Sequence, residues 1–224
     1  MGLIHKTKFV PFIDKSKTSS PAWVQLKKST TYSLAFNPQT KTFDFISSEN
    51  PEEEIDSYQP TLSQSLTMFD DEPDFDLIFK MAYHLPTGGE AHRNVLLVFY
   101  ASKYDLNTYA LTEDEDIVAG KTYYTRTGTE GAYVYTPVAS PVKASLGTYY
   151  EVTATTTYYK AWKVDSVLKL GTLDSVAQSI DFDCALNKRK EGAVTVTTNA
   201  SGDKVPTFVA GTWDDDTDVF TPAA

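Results

Sequence analysis

Cysteine is nearly absent from this chain: Cys184 is the only one in 224 residues. A single thiol excludes a disulfide framework and any cysteine-rich metal site. Positive charge is in deficit, with 20 Lys and Arg against 30 Asp and Glu, a formal net charge of −10. A chain so acidic has little with which to displace phosphate counterions, so duplex nucleic acid is not an attracted ligand. Long apolar runs are also missing. The uncharged stretches are short and studded with Thr, Ser, Gln and Pro, so no membrane span is expected. The opening residues, Met1 to Lys6, contain no apolar core of signal-peptide length. The expectation is a soluble, acidic protein made inside a cell. Its length suits one domain, or one domain carrying a small insertion.

Recognisable catalytic patterns are scarce too. There is no Gly-x-Ser-x-Gly elbow, and no Gly-rich phosphate loop leads into Lys-Ser or Lys-Thr. Gly120-Lys121-Thr122 ends like such a loop but lacks a Gly five residues earlier. His84 and His92 could share a metal with Glu90, but their spacing matches no zinc signature. The acidic run from Asp214 to Asp218 lacks the glycine and terminal glutamate of a calcium loop. Paired carboxylates for glycoside hydrolysis are conceivable in so acidic a chain, but the acids crowd into loops. Cys184 lies in an apolar-acidic strand, Ile180 to Leu186, and reads as a small buried hydrophobe. No catalytic residue, metal or cofactor is assigned.

What is present favours strands. Fourteen Tyr, twelve Phe and abundant Thr suit half-buried pleated surfaces. In Thr31 to Phe36, alternation puts Tyr32, Leu34 and Phe36 on one face. Thr42 to Ser47 reads as the next strand, with residues 37–41 as a short connection. Asn94 to Tyr100 is an unbroken apolar run, expected to be buried on both faces. Further strands are expected at Tyr158 to Leu170, Ser179 to Leu186, Ala193 to Thr198 and Thr207 to Ala210. Gly171, Asn187, Gly192 and the stretch from Asn199 to Lys204 supply turns. One helix stands out between Asp71 and His84. Pro73 sits near its first position, where the missing N–H costs nothing. Asp70, Asp71, Glu72 and Asp74 suit the positive end of the helix dipole. Phe75, Ile78, Phe79 and Ala82 fall on one face at helical spacing. The expected fold is mainly β: two packed antiparallel sheets forming a sandwich or barrel, one flanking helix and a small β insert.

The insert is placed at 111–153, between domain segments 1–110 and 154–224. It carries two similar pieces, Gly120 to Thr125 and Gly147 to Thr153, each with adjacent tyrosines. Tyr123, Tyr124, Tyr149 and Tyr150 are expected to build its core. Neighbouring residues of a strand point to opposite faces, so one tyrosine of each pair should be exposed or at a contact. Charge is segregated as well. Residues 42–79 hold 11 carboxylates and no Lys or Arg, whereas residues 1–30 hold six Lys and one Asp. Such runs are usually solvated faces, but opposite-sign blocks also suit self-association. The stretch from Ser48 to Tyr58 reads as an acidic loop too long for a hairpin turn.

Two stretches together carry a resemblance. The first runs from Trp23 to Ile46, through a strand ending in Asn37-Pro38 and a Thr-rich strand, then from Tyr58 to Thr67 and into the helix. The second runs from Gly120 to Gly128 and on to Glu151. They resemble the major tail proteins, or tail tube subunits, of long-tailed phages of Gram-positive bacteria, and an accessory insert found in several of them. The resemblance covers residues 8–200 in order of elements, and its motifs are loose. It implies a tail-tube-like β sandwich and hexameric rings stacked into a hollow tube. That tube would pass DNA without tight binding, in a virion tail whose subunits are made in the host cytoplasm. It implies as partners further copies of the chain and other tail proteins: tape measure, terminator and baseplate. Under it, Lys6, Lys8, Lys15 and Lys17 on a basic arm, and Glu49, Glu52, Glu53, Glu54, Asp56 and Tyr58 on the acidic stretch, are expected at contacts between rings or subunits, with the insert pointing outward. The rival readings are a terminator or baseplate protein forming a single ring, and a β-sandwich carbohydrate-binding module with aromatics on one platform.

Overall fold

The structure, a computed structural model, describes residues 8–16, 18, 20–44, 50–130 and 133–223. Its elements in chain order are β1 (Phe9–Asp14), β2 (Trp23–Gln25), β3 (Ser29–Ala35), β4 (Pro38–Phe43), β5 (Glu52–Tyr58), β6 (Thr61–Thr67), α1 (Pro73–His84), β7 (His92–Leu111), β8 (Tyr124–Thr127), β9 (Val134–Pro137), β10 (Tyr150–Asp174), β11 (Ser179–Leu186), β12 (Lys190–Thr198), β13 (Lys204–Trp213) and β14 (Phe220–Pro222). Among the described residues the fold is mainly β, with one large antiparallel sheet, a separate two-stranded sheet, one α-helix and short 3-10 turns. Contacts divide it into two compact units, one of residues up to 103 and from 159 onward, the other Tyr104–Tyr158.

In the first unit β10 organises the sheet. Its residues 166–174 pair with β11, and residues 159–163 pair with β12. Asn187, Lys188 and Arg189 break the return strand between these ladders, with Lys188 at φ 24°. From the break the sheet runs one way through β11 and β6 to β3, and the other way through β12 and β13 to β14. Strands that change partners at such irregularities make the corners of sandwiches. β1 pairs with β2 on one side and β7 on the other. Val95 and Leu97 of β7 face a cluster with Leu62, Leu66, Ile78, Val164 and Ile180, while Leu96 and Val98 face a second one with Phe12, Ala161 and Val194. The continuous apolar run is therefore buried on both faces, as its sequence requires.

Helix α1 begins at Pro73 and stops at Leu85, which takes a left-handed φ of 46° while its N–H bonds Met81 O. The expected buried face, Phe75, Ile78, Phe79 and Ala82, is rotated: the buried residues are Asp74, Leu77, Ile78 and Met81. Phe75 and Ala82 lie at the rim, and Phe79 is exposed. Asp74 explains the rotation. Its Oδ2 accepts from the backbone N–H of Lys27 at 2.8 Å and of Lys28 at 3.3 Å, which turns its face inward.

Several local expectations change: Gly171, read as a turn, lies within β10 at a register shift between Leu170 and Leu173. Residues 38–41, read as a connection, belong to β4, and the turn lies at Asn37 with φ 46°. The acidic stretch read as a loop is strand β5 from Glu52 onward. The second half of the expected strand 42–47, including Phe45 and Ile46, lies outside the described residues. Gly192 marks no turn. It lies within β12, where an added Cβ would meet Val209 O at 2.7 Å and the Phe208 ring at 2.6 Å, so glycine is needed for close strand approach.

In the second unit, β8 and β9 form a hairpin and β8 pairs with β10 at Tyr124 and Tyr150. The unit extends beyond the expected 111–153 because the flanking strands are laced together. Thr153 Oγ1 donates to Thr108 O at 3.2 Å, Thr155 Oγ1 to Asn107 Oδ1 at 2.8 Å, and Thr157 Oγ1 to Asp105 Oδ1 at 2.6 Å.

Candidate assembly surfaces

The most unusual surface is the β4–β5 hairpin. Every residue of both strands is exposed, and neither strand pairs with any other among the described residues. Pro38 opposes Tyr58, and Phe43 opposes Glu52, with a bulge between Gln39 and Thr40. Lys41 bonds Asp56 at 2.6 Å. Glu52, Glu53 and Glu54 have no cationic partner among the described residues. Ile55 and Tyr58 are each more than half exposed, as is Phe36 at the foot of the hairpin. Two strands with no packed face are at best marginally stable in water, so this arm is built to be covered.

A groove of about 600 Å³ opens at the foot of the arm, between the Tyr58–Thr61 segment and the strand break at Asn187–Arg189. Lys169, Lys188 and Arg189 line it. Arg189 pairs with Glu191 at 2.8 Å and lies over Trp162 at 4.6 Å. Lys169 and Lys188 are exposed and have no acidic partner among the described residues. The sequence reading missed this basic edge: Lys188-Arg189-Lys190 is a short run, and Lys169 joins it only through the pairing of β10 with β11.

The basic N-terminal block is described only in part. Lys6, Lys17 and Glu49 lie outside the described residues. Lys8 is exposed. Lys15 lines a groove with Asp70, Asp71 and Glu72, Lys28 pairs with Glu72 at 3.5 Å, and Lys27 pairs with Asp203 at 2.5 Å. The Asp203 carboxylate holds the Lys27 ammonium above its ordinary range. Much of the basic block thus meets acids of its own chain, including those at the helix start. Within the acidic segment Asp56 pairs with Lys41, Glu72 with Lys28 and Asp76 with Lys80, while Glu52, Glu53 and Glu54 of the arm have no cationic partner among the described residues.

Asp14 is the buried anchor of the N-terminal segment. Its Oδ1 accepts from the Ser16 N–H at 2.9 Å, the Ser16 hydroxyl at 2.8 Å and the Ala22 N–H at 3.0 Å; its Oδ2 accepts from Asn94 Nδ2 at 3.3 Å. Burial opposes the charge, but these donors together outweigh it and hold the carboxyl below its usual range.

The four tyrosines of the second unit separate by face. Tyr123 and Tyr149 are buried with Leu146 and Val138. The Tyr123 hydroxyl donates to Asp114 at 2.7 Å and accepts from the Val118 N–H at 3.1 Å. Lys121 bridges Asp114 and Glu151. Tyr124 and Tyr150, grouped with the core on sequence, are only half-buried. Tyr150 lies edge-on to Tyr135 and Tyr124 edge-on to Tyr109, while Tyr109 stacks on Tyr135 at 3.9 Å. Arg126 lies over Tyr133 and Tyr150 at 4.2 and 4.6 Å.

The three tryptophans form no common platform. Trp23 packs beside Phe12 and Val98, Trp162 lies edge-on to Phe99, and Trp213 donates to Gly192 O at 2.8 Å. His92 Nδ1 lies 3.1 Å from Asp165, and His84 lies edge-on to Tyr83. No three potential metal ligands converge among the described residues. No helix among them is long and apolar enough to cross a membrane. No protein-family model matches the chain, and no curated protein matches it either.

Proposed function

We propose that this chain is a structural subunit that assembles with copies of itself into stacked rings, forming the tail tube of a long-tailed phage. The observation that carries the proposal is the fully exposed β4–β5 arm, an element with no packed face of its own on an otherwise well-packed β fold. Such an arm supplies one half of a heterologous contact, and repeated heterologous contacts close into rings or extend into tubes. The net charge of −10 fits a conduit. A wall of negative subunits gives DNA no phosphate-neutralising surface, so the polymer slides instead of sticking. The loosely matching tail-protein motifs of the sequence favour the same reading. Other tail proteins would be its partners at the tube ends and inside the lumen, and the second unit would be an outward decoration.

Negative-stain electron microscopy of the purified full chain, with particle sizing at rising concentration, tests this proposal. Stacked rings or hollow tubes are expected. Single rings would favour a terminator or baseplate role, and a monomer that binds a glycan array would favour a carbohydrate-binding module.

A further inference from the structure

We infer that the acidic β4–β5 arm of one copy docks in the basic groove at the foot of the arm of another copy. The two surfaces are complementary in charge and both unsatisfied. Glu52, Glu53 and Glu54 lack cationic partners, and Lys169 and Lys188 lack acidic ones, among the described residues. Opposed patches of this kind select a partner and set its register.

The arm cannot fill its own groove. Tyr58 lines the groove, and Glu54 and Glu52 lie four and six residues further along an extended strand. At about 3.3 Å per residue the acids stand roughly 13–20 Å from the groove of their own chain. The occupant is therefore a second copy. Exposed Ile55 supplies the apolar part of the contact. The Asn187–Arg189 break interrupts the ladder that β10 makes with β11 and β12, while the Asn187 N–H stays bonded to Asp165 O at 2.9 Å.

This inference rests on the reading of the chain as a self-assembling subunit, and adds which surfaces meet. The test uses the full chain with a photo-crosslinking residue at Ile55, in an equal mixture of light and isotopically heavy protein. Light-heavy crosslinks mapping to residues 185–189 are expected. Crosslinks confined to one chain, mapping elsewhere or absent altogether would overturn the inference. Charge reversal gives an independent measure. Glu52→Lys, Glu53→Lys and Glu54→Lys together, or Lys169→Glu with Lys188→Glu, should each weaken self-association about tenfold or more at low salt. All five changes in one chain should restore it. These side chains are exposed, so the variants should fold, and circular dichroism checks that they do. Failure of the five-fold variant to recover overturns the pairing. Recovery as closed dimers would keep the arm in the groove but refute the ring and tube reading.

Discussion

Replacing Gln64 with methionine should stabilise the protein. Gln64 lies in β6 between the buried Leu62 and Leu66, opposite Tyr32 of β3 and Phe182 of β11. It is 3% exposed, and neither its Nε2 nor its Oε1 has a hydrogen-bond partner among the described residues. Leaving a buried amide unpaired costs about 1–3 kcal/mol. Methionine has nearly the same volume and flexibility, so repacking should cost less than about 1 kcal/mol. The expected net gain is about 1–2 kcal/mol. Urea unfolding should move to a higher midpoint with unchanged slope, and the melting temperature should rise by roughly 3–6 °C. Gln64→Ala provides the contrast, because it removes the same amide but opens a cavity and should not gain. A Gln64→Met protein no more stable than the parent would refute the reasoning, since the amide would then have a partner in solution.

Other outcomes follow from the same geometry. The lowered carboxyl of Asp14 contributes stability that is present above the unfolded carboxylate pKa and lost as pH falls through the folded one. Asp14→Asn should therefore flatten the acid limb of the stability curve below about pH 4, while lowering stability at pH 7 by about 1–2 kcal/mol, both read from denaturant titrations. Burial pushes the Cys184 thiol up to about 12. Thiol reagents at pH 8 should therefore label it only in denaturant, and rapid labelling of the native protein would place it at the surface. The Thr112 N–H donates to Tyr149 O at 2.9 Å, so the chain enters and leaves the 113–148 segment side by side. Replacing that segment with a short glycine turn should leave assembly intact, and loss of particles in electron micrographs would remove its role as decoration.

The legible parts of the fold were those set by local chemistry. Asn94 to Tyr100 declared a doubly buried strand, and Pro73 declared a helix start, because each depends only on neighbouring residues. The acidic stretch was misread because Glu and Asp are poor strand formers. Its strand character depends on pairing Glu52 with Phe43 and Tyr58 with Pro38, which no local pattern reveals. The helix face was misread for a similar reason. A polar Asp74 fixes its rotation by bonding Lys27 and Lys28, 47 and 46 residues away in sequence. The candidate site divides the same way. The acids of the arm form a visible run, while Lys169 meets the adjacent Lys188 and Arg189 only through the fold at the foot of the hairpin.

The bare edges of the arm also bear on how the unassembled pool behaves. A two-stranded ribbon offers two rows of unpaired backbone groups, the usual template for disordered aggregation. On β5 three consecutive glutamates line that ribbon, so free arms repel one another. Salt then acts in two opposite ways. At physiological strength the screening length is about 8 Å, and adding salt shortens it, which weakens attraction to a basic groove while also lifting the repulsion between arms. Concentrated salt should therefore exchange ordered association for amorphous precipitation. The same carboxylates that give an arm its destination keep it soluble until it arrives.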